Sequence, residues 1–337
     1  MTIKLLDTSL RDGMHAVANS FTTAQVTEVS RALDRAGVSY IEVSHGAGLG
    51  GSSLQFGQAP ATDSEYVEAA AVASSQARVA VLLLPGIGTI EMLKAARASG
   101  AGVVRVATHC TEANLAAQHL SWAREDGIET VGFLMMSHLL GPLELAAEAA
   151  LMESYGAEVV YVVDSAGAMV PREAWARVAA VRERTGVAIG FHAHNNLGCA
   201  VGNSLAAVDA GATWIDGSLC GLGAGSGNAQ TEVLAAALLR DGRPMDADLV
   251  KLIDAATDTV GPLLPRPQVI DGASLMLGFA GVYSTFLEDA ERAGGKYGVD
   301  PRDILVEVGR QGVRGGEEHL IEKIAIGIAG GGSAGSS

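Results

Sequence analysis

The sequence predicts a (β/α)8 TIM barrel followed by a small C-terminal helical domain. Three observations carry this. Short β-branched runs alternate with Ala-rich amphipathic stretches, the alternation stops near residue 240, and the chemistry-bearing residues fall at the ends of the first and seventh β-like runs. Strands that alternate with helices form a parallel sheet. Eight such units in roughly 240 residues match a closed barrel. A doubly wound open sheet is the alternative, but it does not need eight units and would not bring the first and seventh strand ends together.

In order, the strand-like runs are 3–6, 40–44, 79–84, 103–108, 130–135, 159–164, 188–194 and 214–219. The helical stretches are 23–36, 64–75, 89–99, 112–125, 142–155, 171–185, 197–210 and 229–240. Gly37, Gly100, Gly156, Gly186 and Gly211 follow helix ends, where a left-handed residue terminates the turn. Beyond Arg240 come the helical segments 246–260, 274–293, 301–311 and 317–328, with no strands between them. Pro262, Pro265 and Pro267 punctuate the first gap. The expected division is therefore a barrel over 1–260, a helical domain over 261–329, and a disordered Gly/Ser tail over 330–337.

Hydrophobic residues make up 48% of the 337, enough for a large core. The net charge of −15 excludes nucleic acid as an expected partner. Cys110, Cys199 and Cys220 have no framework or CxxC spacing, so reduced thiols and a cytoplasmic location are expected. No apolar run approaches membrane-spanning length and no leader is recognisable.

The string Asp7-Thr8-Ser9-Leu10-Arg11-Asp12-Gly13-Met14-His15 puts a cation, a carboxylate and an imidazole after the opening strand. Phe191-His192-Ala193-His194-Asn195 puts two imidazoles at i and i+2, on one face of a strand. Barrel active sites form at strand C-terminal ends, so Asp12, His192 and His194 can supply an O,N,N set with open positions. That suits Mn²⁺, Mg²⁺ or another octahedral dication better than a closed zinc site. Arg11 can bind a carboxylate or neutralise a developing oxyanion. His15 can act as acid or base near neutral pH. The Gly-rich string 221–228 follows the last strand and lacks a Lys-Ser/Thr sequel, so it is read as a tight connection lining the barrel mouth with Asn228.

On these residues the chain resembles the barrel family of HMG-CoA lyase, isopropylmalate synthase and pyruvate carboxylase transferase domains, with its Asp-x-x-x-Arg-Asp-Gly and His-x-His signatures. Within it, the chain looks like the class II 4-hydroxy-2-oxoacid aldolases over nearly its whole length. The strings 6–15, 82–89, 164–167, 192–198 and 281–286 carry the likeness, and Met14-His15 stands where acyl-CoA-condensing relatives usually carry Glu-Gln. The resemblance implies Mn²⁺ on Asp12, His192 and His194, with Mg²⁺ or Co²⁺ as substitutes. It further implies cleavage of 4-hydroxy-2-oxovalerate or 4-hydroxy-2-oxohexanoate to pyruvate and acetaldehyde or propanal, in meta-cleavage catabolism of aromatic compounds or steroids. Arg11 would stabilise the enolate and His15 would take the C4 hydroxyl proton. Ser165 would contact the carboxylate region, Tyr283 would reach back to the substrate near His15, and Leu82 would bound the aldehyde end. The implied partner is an acylating acetaldehyde or propanal dehydrogenase that docks on the helical domain and receives the aldehyde through a channel. A Claisen-type synthase using an acyl-CoA and a 2-oxoacid is the other reading within the same barrel family.

Overall fold

A computed structural model describes residues 2–284, 286–313 and 316–331. Its parallel strands are β1 (Lys4–Leu10), β2 (Tyr40–Val43), β3 (Arg78–Leu83), β4 (Val103–His109), β5 (Glu129–Met135), β6 (Val159–Asp164), β7 (Ala188–Ala193) and β8 (Trp214–Gly217). They pair in chain order and close into a barrel. The closure is explicit: Lys4 to Asp7 of β1 pair with Trp214 to Gly217 of β8. That excludes the open doubly wound sheet.

The outer ring is α1 (Thr23–Arg35), α2 (Asp63–Ala73), α3 (Ile90–Ala98), α4 (Ala117–Glu125), α5 (Pro142–Ser154), α6 (Pro171–Arg184), α7 (Ala200–Ala210) and α8 (Thr231–Arg240). Thr22 and Thr62 start α1 and α2 as full capping boxes with Gln25 and Glu65. The helices bury Val, Leu and Ala against the outer barrel surface. A second apolar layer fills the lumen, with Leu6, Tyr40, Leu82, Phe133, Tyr161 and Trp214 among its members. Lys4 lies at the strand N-terminal end, its Nζ 4.7 Å from the Trp214 ring centroid.

After the barrel come α9 (Leu249–Asp254), α10 (Gly272–Ala280), α11 (Phe286–Tyr297), α12 (Pro301–Gln311) and α13 (His319–Gly330). The last four share an apolar cluster of their own, around Leu277, Phe286, Ile304, Leu305, Val308 and Ile321. This unit is tied to the barrel mouth at several points, one a strap in which His138 Nε2, after β5, lies 3.1 Å from the Gly281 carbonyl oxygen. Burial pulls the His138 pKa down to about 4, so the neutral ring donates there near pH 7. Arg177 fixes that corner by donating to the carbonyls of Ser137, His138 and Leu140.

Several bounds differ from the sequence reading. β1 runs on through Leu10 because its polar side chains are satisfied inside: Ser9 Oγ accepts from Leu219 N at 2.7 Å and Thr8 Oγ1 donates to the Gly217 carbonyl. The helix expected over 274–293 is two helices, broken at Gly281, whose φ of +67° ends α10 in the left-handed region. Gly330, expected in the tail, closes α13; 332–337 lie outside the described residues, as does Thr285 of the 281–286 string.

Candidate active site

β1 delivers Arg11 and Asp12 directly at its end, and a 3₁₀ turn (Asp12–Val17) carries the chain over the barrel mouth. Asn19, with φ +57°, locks that turn onto the β2–α2 loop: its Oδ1 accepts from Gly46 N and its Nδ2 donates to the Phe56 carbonyl. The His15 ring is thereby set against Gly46, where an added Cβ would stand 2.9 Å from His15 Cε1. β7 supplies His192, and His194 follows immediately.

These elements bring one carboxylate and two imidazoles together. Ligand atoms of Asp12, His192 and His194 all lie within 4.8 Å of one another, and all three residues are buried. Asp12 Oδ2 is 3.3 Å from His192 Nε2 and 3.5 Å from His194 Nε2. His192 Nδ1 is engaged at 2.8 Å by Asp216 Oδ2, which aims Nε2 into the cluster. A carboxylate behind a ligating imidazole is the arrangement that fixes its orientation at metal sites. The donor set and its support therefore fit an octahedral dication with open positions.

Electrostatics favour the ligating form at Asp12 and His194 and the protonated form at His192. Burial would raise the Asp12 pKa, but Arg11 and the two imidazoles hold it well below the usual carboxylate range. Burial outweighs Asp12 at His194 and lowers its pKa to about 4, leaving a neutral ligand. At His192 the carboxylates of Asp12 and Asp216 overcome burial and raise the pKa. His15 remains exposed at the mouth, but the surrounding protein mass desolvates its ring and lowers its pKa against the pull of Asp12. A neutral His15 can accept a proton at pH 7.

Arg11 is held at two of its three nitrogens. Nε donates to Glu42 Oε2 at 2.7 Å, and Nη1 lies 3.2 Å from Asp12 Oδ2. The buried Nη2 has no hydrogen-bond partner among the described residues.

Of the remaining expected site residues, Leu82 and Ser165 belong to the barrel and Tyr283 packs with the helical unit. Leu82 is buried on β3 beneath the loop that follows β2, and its carbonyl accepts from Leu49 N. Ser165 follows β6, and its Oγ accepts from Met136 N at 3.0 Å. Tyr283 lies in the turn between α10 and α11, edge-on to Phe286. Beside it, Ser284 Oγ reaches within 3.2 Å of a Cβ built on Gly225, in the connection after β8. That connection is braced by Asn196 Oδ1, which accepts from Ser226 N and Oγ, and by Asn228 Nδ2, which donates to the Leu222 carbonyl. Sequence reasoning missed Glu42, Arg105 and Asp216. Each is a single charge within an otherwise apolar strand run, which was the available signal.

Residues 2–259 match the HMGL-like family model, and residues 268–330 match the DmpG-like communication domain. Curated relatives agree: a 4-hydroxy-2-oxovalerate aldolase of Pelotomaculum thermopropionicum is 55% identical over 96% of this chain and 95% of its own length. 4-Hydroxy-2-oxovalerate aldolase 2 of Nocardia farcinica is 56% identical over 98% and 95%. The chain belongs to the HMGL-like family, in the branch of the 4-hydroxy-2-oxovalerate aldolases. Among solved structures, HMG-CoA lyase from Brucella melitensis superposes with a TM-score of 0.67 at 20% identity, covering 79% of this chain and 99% of that one. The carboxyl transferase domain of Rhizobium etli pyruvate carboxylase gives 0.77 at 16% identity, covering 98% and 60%. These two likenesses concern the fold alone. Among the described residues, no helix is long and apolar enough to cross a membrane.

Proposed function

We propose that this chain catalyses a divalent-metal-dependent retro-aldol cleavage of 4-hydroxy-2-oxovalerate or 4-hydroxy-2-oxohexanoate, giving pyruvate and acetaldehyde or propanal. The observation that carries it is the Asp12–His192–His194 cluster with an unpartnered Arg11 nitrogen beside it. The relatives named 4-hydroxy-2-oxovalerate aldolase support this substrate class, and Mn²⁺ is the proposed ion.

Breaking C3–C4 leaves an electron pair that spreads to the keto oxygen as an enolate, and this charge sets the chemical demand. A bound dication supplies Lewis-acid polarisation of that oxygen. Arg11 Nη2 is the pre-oriented donor for the developing charge, and one such donor contributes roughly 3 kcal/mol. Glu42 and Asp12 hold the guanidinium so that no reorganisation is needed as charge develops. His15 accepts the C4 hydroxyl proton as the carbonyl of the departing aldehyde forms; the enolate then takes a proton from water at C3, and His15 returns its own to solvent. Ser165 and Tyr283 contact the substrate, and Leu82 bounds the aldehyde end. Lys4, stacked on Trp214 at the opposite end of the barrel, cannot form a Schiff base at this site. The helical segment matching the communication domain is the docking surface for an acylating aldehyde dehydrogenase, which takes the aldehyde by channelling.

The test is pyruvate release, coupled to lactate dehydrogenase, from chelator-stripped protein with and without restored Mn²⁺ or Mg²⁺, on both homologues. Metal-dependent pyruvate supports the reading, and the two rates rank the aldehydes. Folded protein that releases no pyruvate with either metal contradicts it and moves the assignment to Claisen-type acyl-CoA chemistry.

A further inference from the structure

Arg105 is a fully buried guanidinium on β4, within the barrel lumen and below the reacting groups. Its Cζ lies 4.4 Å from the ring centroids of both Phe133 and Tyr161. Two carboxylates flank it: Nη1 is 3.1 Å from Glu42 Oε1, an ion pair without hydrogen-bond geometry, and Nη2 donates to Asp216 Oδ2. Each carboxylate also holds a residue of the site. Glu42 Oε2 accepts from Arg11 Nε, and Asp216 Oδ2 engages His192 Nδ1.

A buried ion network is a poor route to stability. Apolar residues of similar volume often do as well or better, because they carry no desolvation cost. Apolar residues in place of Arg105, Glu42 and Asp216 together would fill the lumen without that cost. What an apolar residue cannot do is pair with two carboxylates at once, which the guanidinium does through separate nitrogens.

We propose that Arg105 is a positioning residue that aligns the Arg11 guanidinium, through Glu42, and the His192 imidazole, through Asp216, in a single register. The donor for the enolate and one ligand of the dication are thereby set together by a side chain that touches neither substrate nor metal. This inference rests on the metal-dependent reading given above.

The experiment uses Arg105→Lys, which keeps the charge and loses the fork. Two quantities are measured on metal-stripped full-length protein: the Mn²⁺ dissociation constant, read from free Mn²⁺ by electron paramagnetic resonance, and kcat and KM for pyruvate release at saturating Mn²⁺. Mn²⁺ binding is expected to weaken about 10- to 100-fold, as for other groups that orient metal ligands. A fall in kcat of about tenfold or more at saturating Mn²⁺, with a smaller change in KM, is expected alongside. Wild-type values for both quantities, whatever the melting temperature, overturn the inference. Should Arg105→Lys fail to fold, the charge-balanced pair Arg105→Gln/Glu42→Gln is compared with Glu42→Gln alone. At least about tenfold weaker Mn²⁺ binding in the pair supports the role of Arg105, and equal binding overturns it. If the wild-type chain binds no Mn²⁺ at all, the metal reading and this inference fall together. Wild-type binding with an unaltered Arg105→Lys removes the inference alone.

Discussion

Arg11 has three side-chain nitrogens, and the described residues occupy only two of them. Removing the side chain by Arg11→Ala should lower kcat by about 10²- to 10³-fold, the usual loss for an oxyanion donor, while Mn²⁺ still binds. Steady-state pyruvate release and Mn²⁺ titration on the same sample check this, and full turnover in the variant would remove Arg11 from the mechanism. Asp7 illustrates a different residue-scale effect. Burial raises its pKa to about 6, against hydrogen bonds from Thr231 and Ser9 that lower it. Because the folded value lies above the unfolded one, its contribution to stability is complete below about pH 4 and is lost as pH rises through 6. The difference of about two units corresponds to about 3 kcal/mol as an order of magnitude. Asp7→Asn removes the titration, so its melting temperature relative to wild type should climb between pH 4 and pH 7.5. A gap that stays flat over that range would show that Asp7 does not titrate there. Arg11, Asp12, His15, His192 and His194 were legible in the sequence because each sits in a short polar string at a strand end. Glu42, Arg105 and Asp216 were not, because a lone charge inside a strand run gives no clue to its partner until the barrel closes around it.

At the scale of elements, the same closure accounts for what periodicity misjudged. Asp7, Thr8 and Ser9 look like a loop, yet they continue β1 because their polar atoms find partners on β8 and the residues that follow it. Gly281 sits within an otherwise helical pattern and splits it by adopting a conformation few other residues tolerate. Other glycines answer to space. A Cβ on Gly190 of β7 would lie 2.2 Å from the Tyr161 ring. Gly190→Ala should therefore cost at least about 1–3 kcal/mol through overpacking, visible as a lowered denaturant midpoint. Within α11 two adjacent glycines behave oppositely: a Cβ at Gly294 would meet the Val299 carbonyl at 2.7 Å, whereas at Gly295 it meets nothing within 4 Å. Gly295→Ala should stabilise by about 0.5–1 kcal/mol and Gly294→Ala should destabilise. Chemical denaturation of the pair decides whether α11 is packed as described.

For the whole molecule, the eight-unit rhythm and its end near residue 240 were readable because each barrel unit repeats the same burial problem. The helical unit was readable only as helices, since its packing depends on a separate core and on the strap from His138 to Gly281. Metal occupancy should act on the entire fold, because a ligand that binds only the native state stabilises it by about 2.7 kcal/mol at a hundredfold excess over its dissociation constant. The melting temperature of stripped protein should rise with added Mn²⁺ and return on chelation. Asp12→Asn should abolish most of that rise.

The chain of paired charges from Asp12 through Arg11, Glu42 and Arg105 to Asp216 contains three carboxylates and two guanidiniums, a formal balance of −1. A dication turns that into +1, which a single carboxylate then cancels. The mouth of a strongly acidic protein thus becomes, once loaded, a neutralising seat for a monoanion, and burial makes any surplus charge costly. An aldol substrate with a second carboxylate would leave the seat overcharged by one. The charge balance of the lumen, some distance below the reacting groups, therefore predicts slower pyruvate release from a dicarboxylic aldol than from its monocarboxylic counterpart.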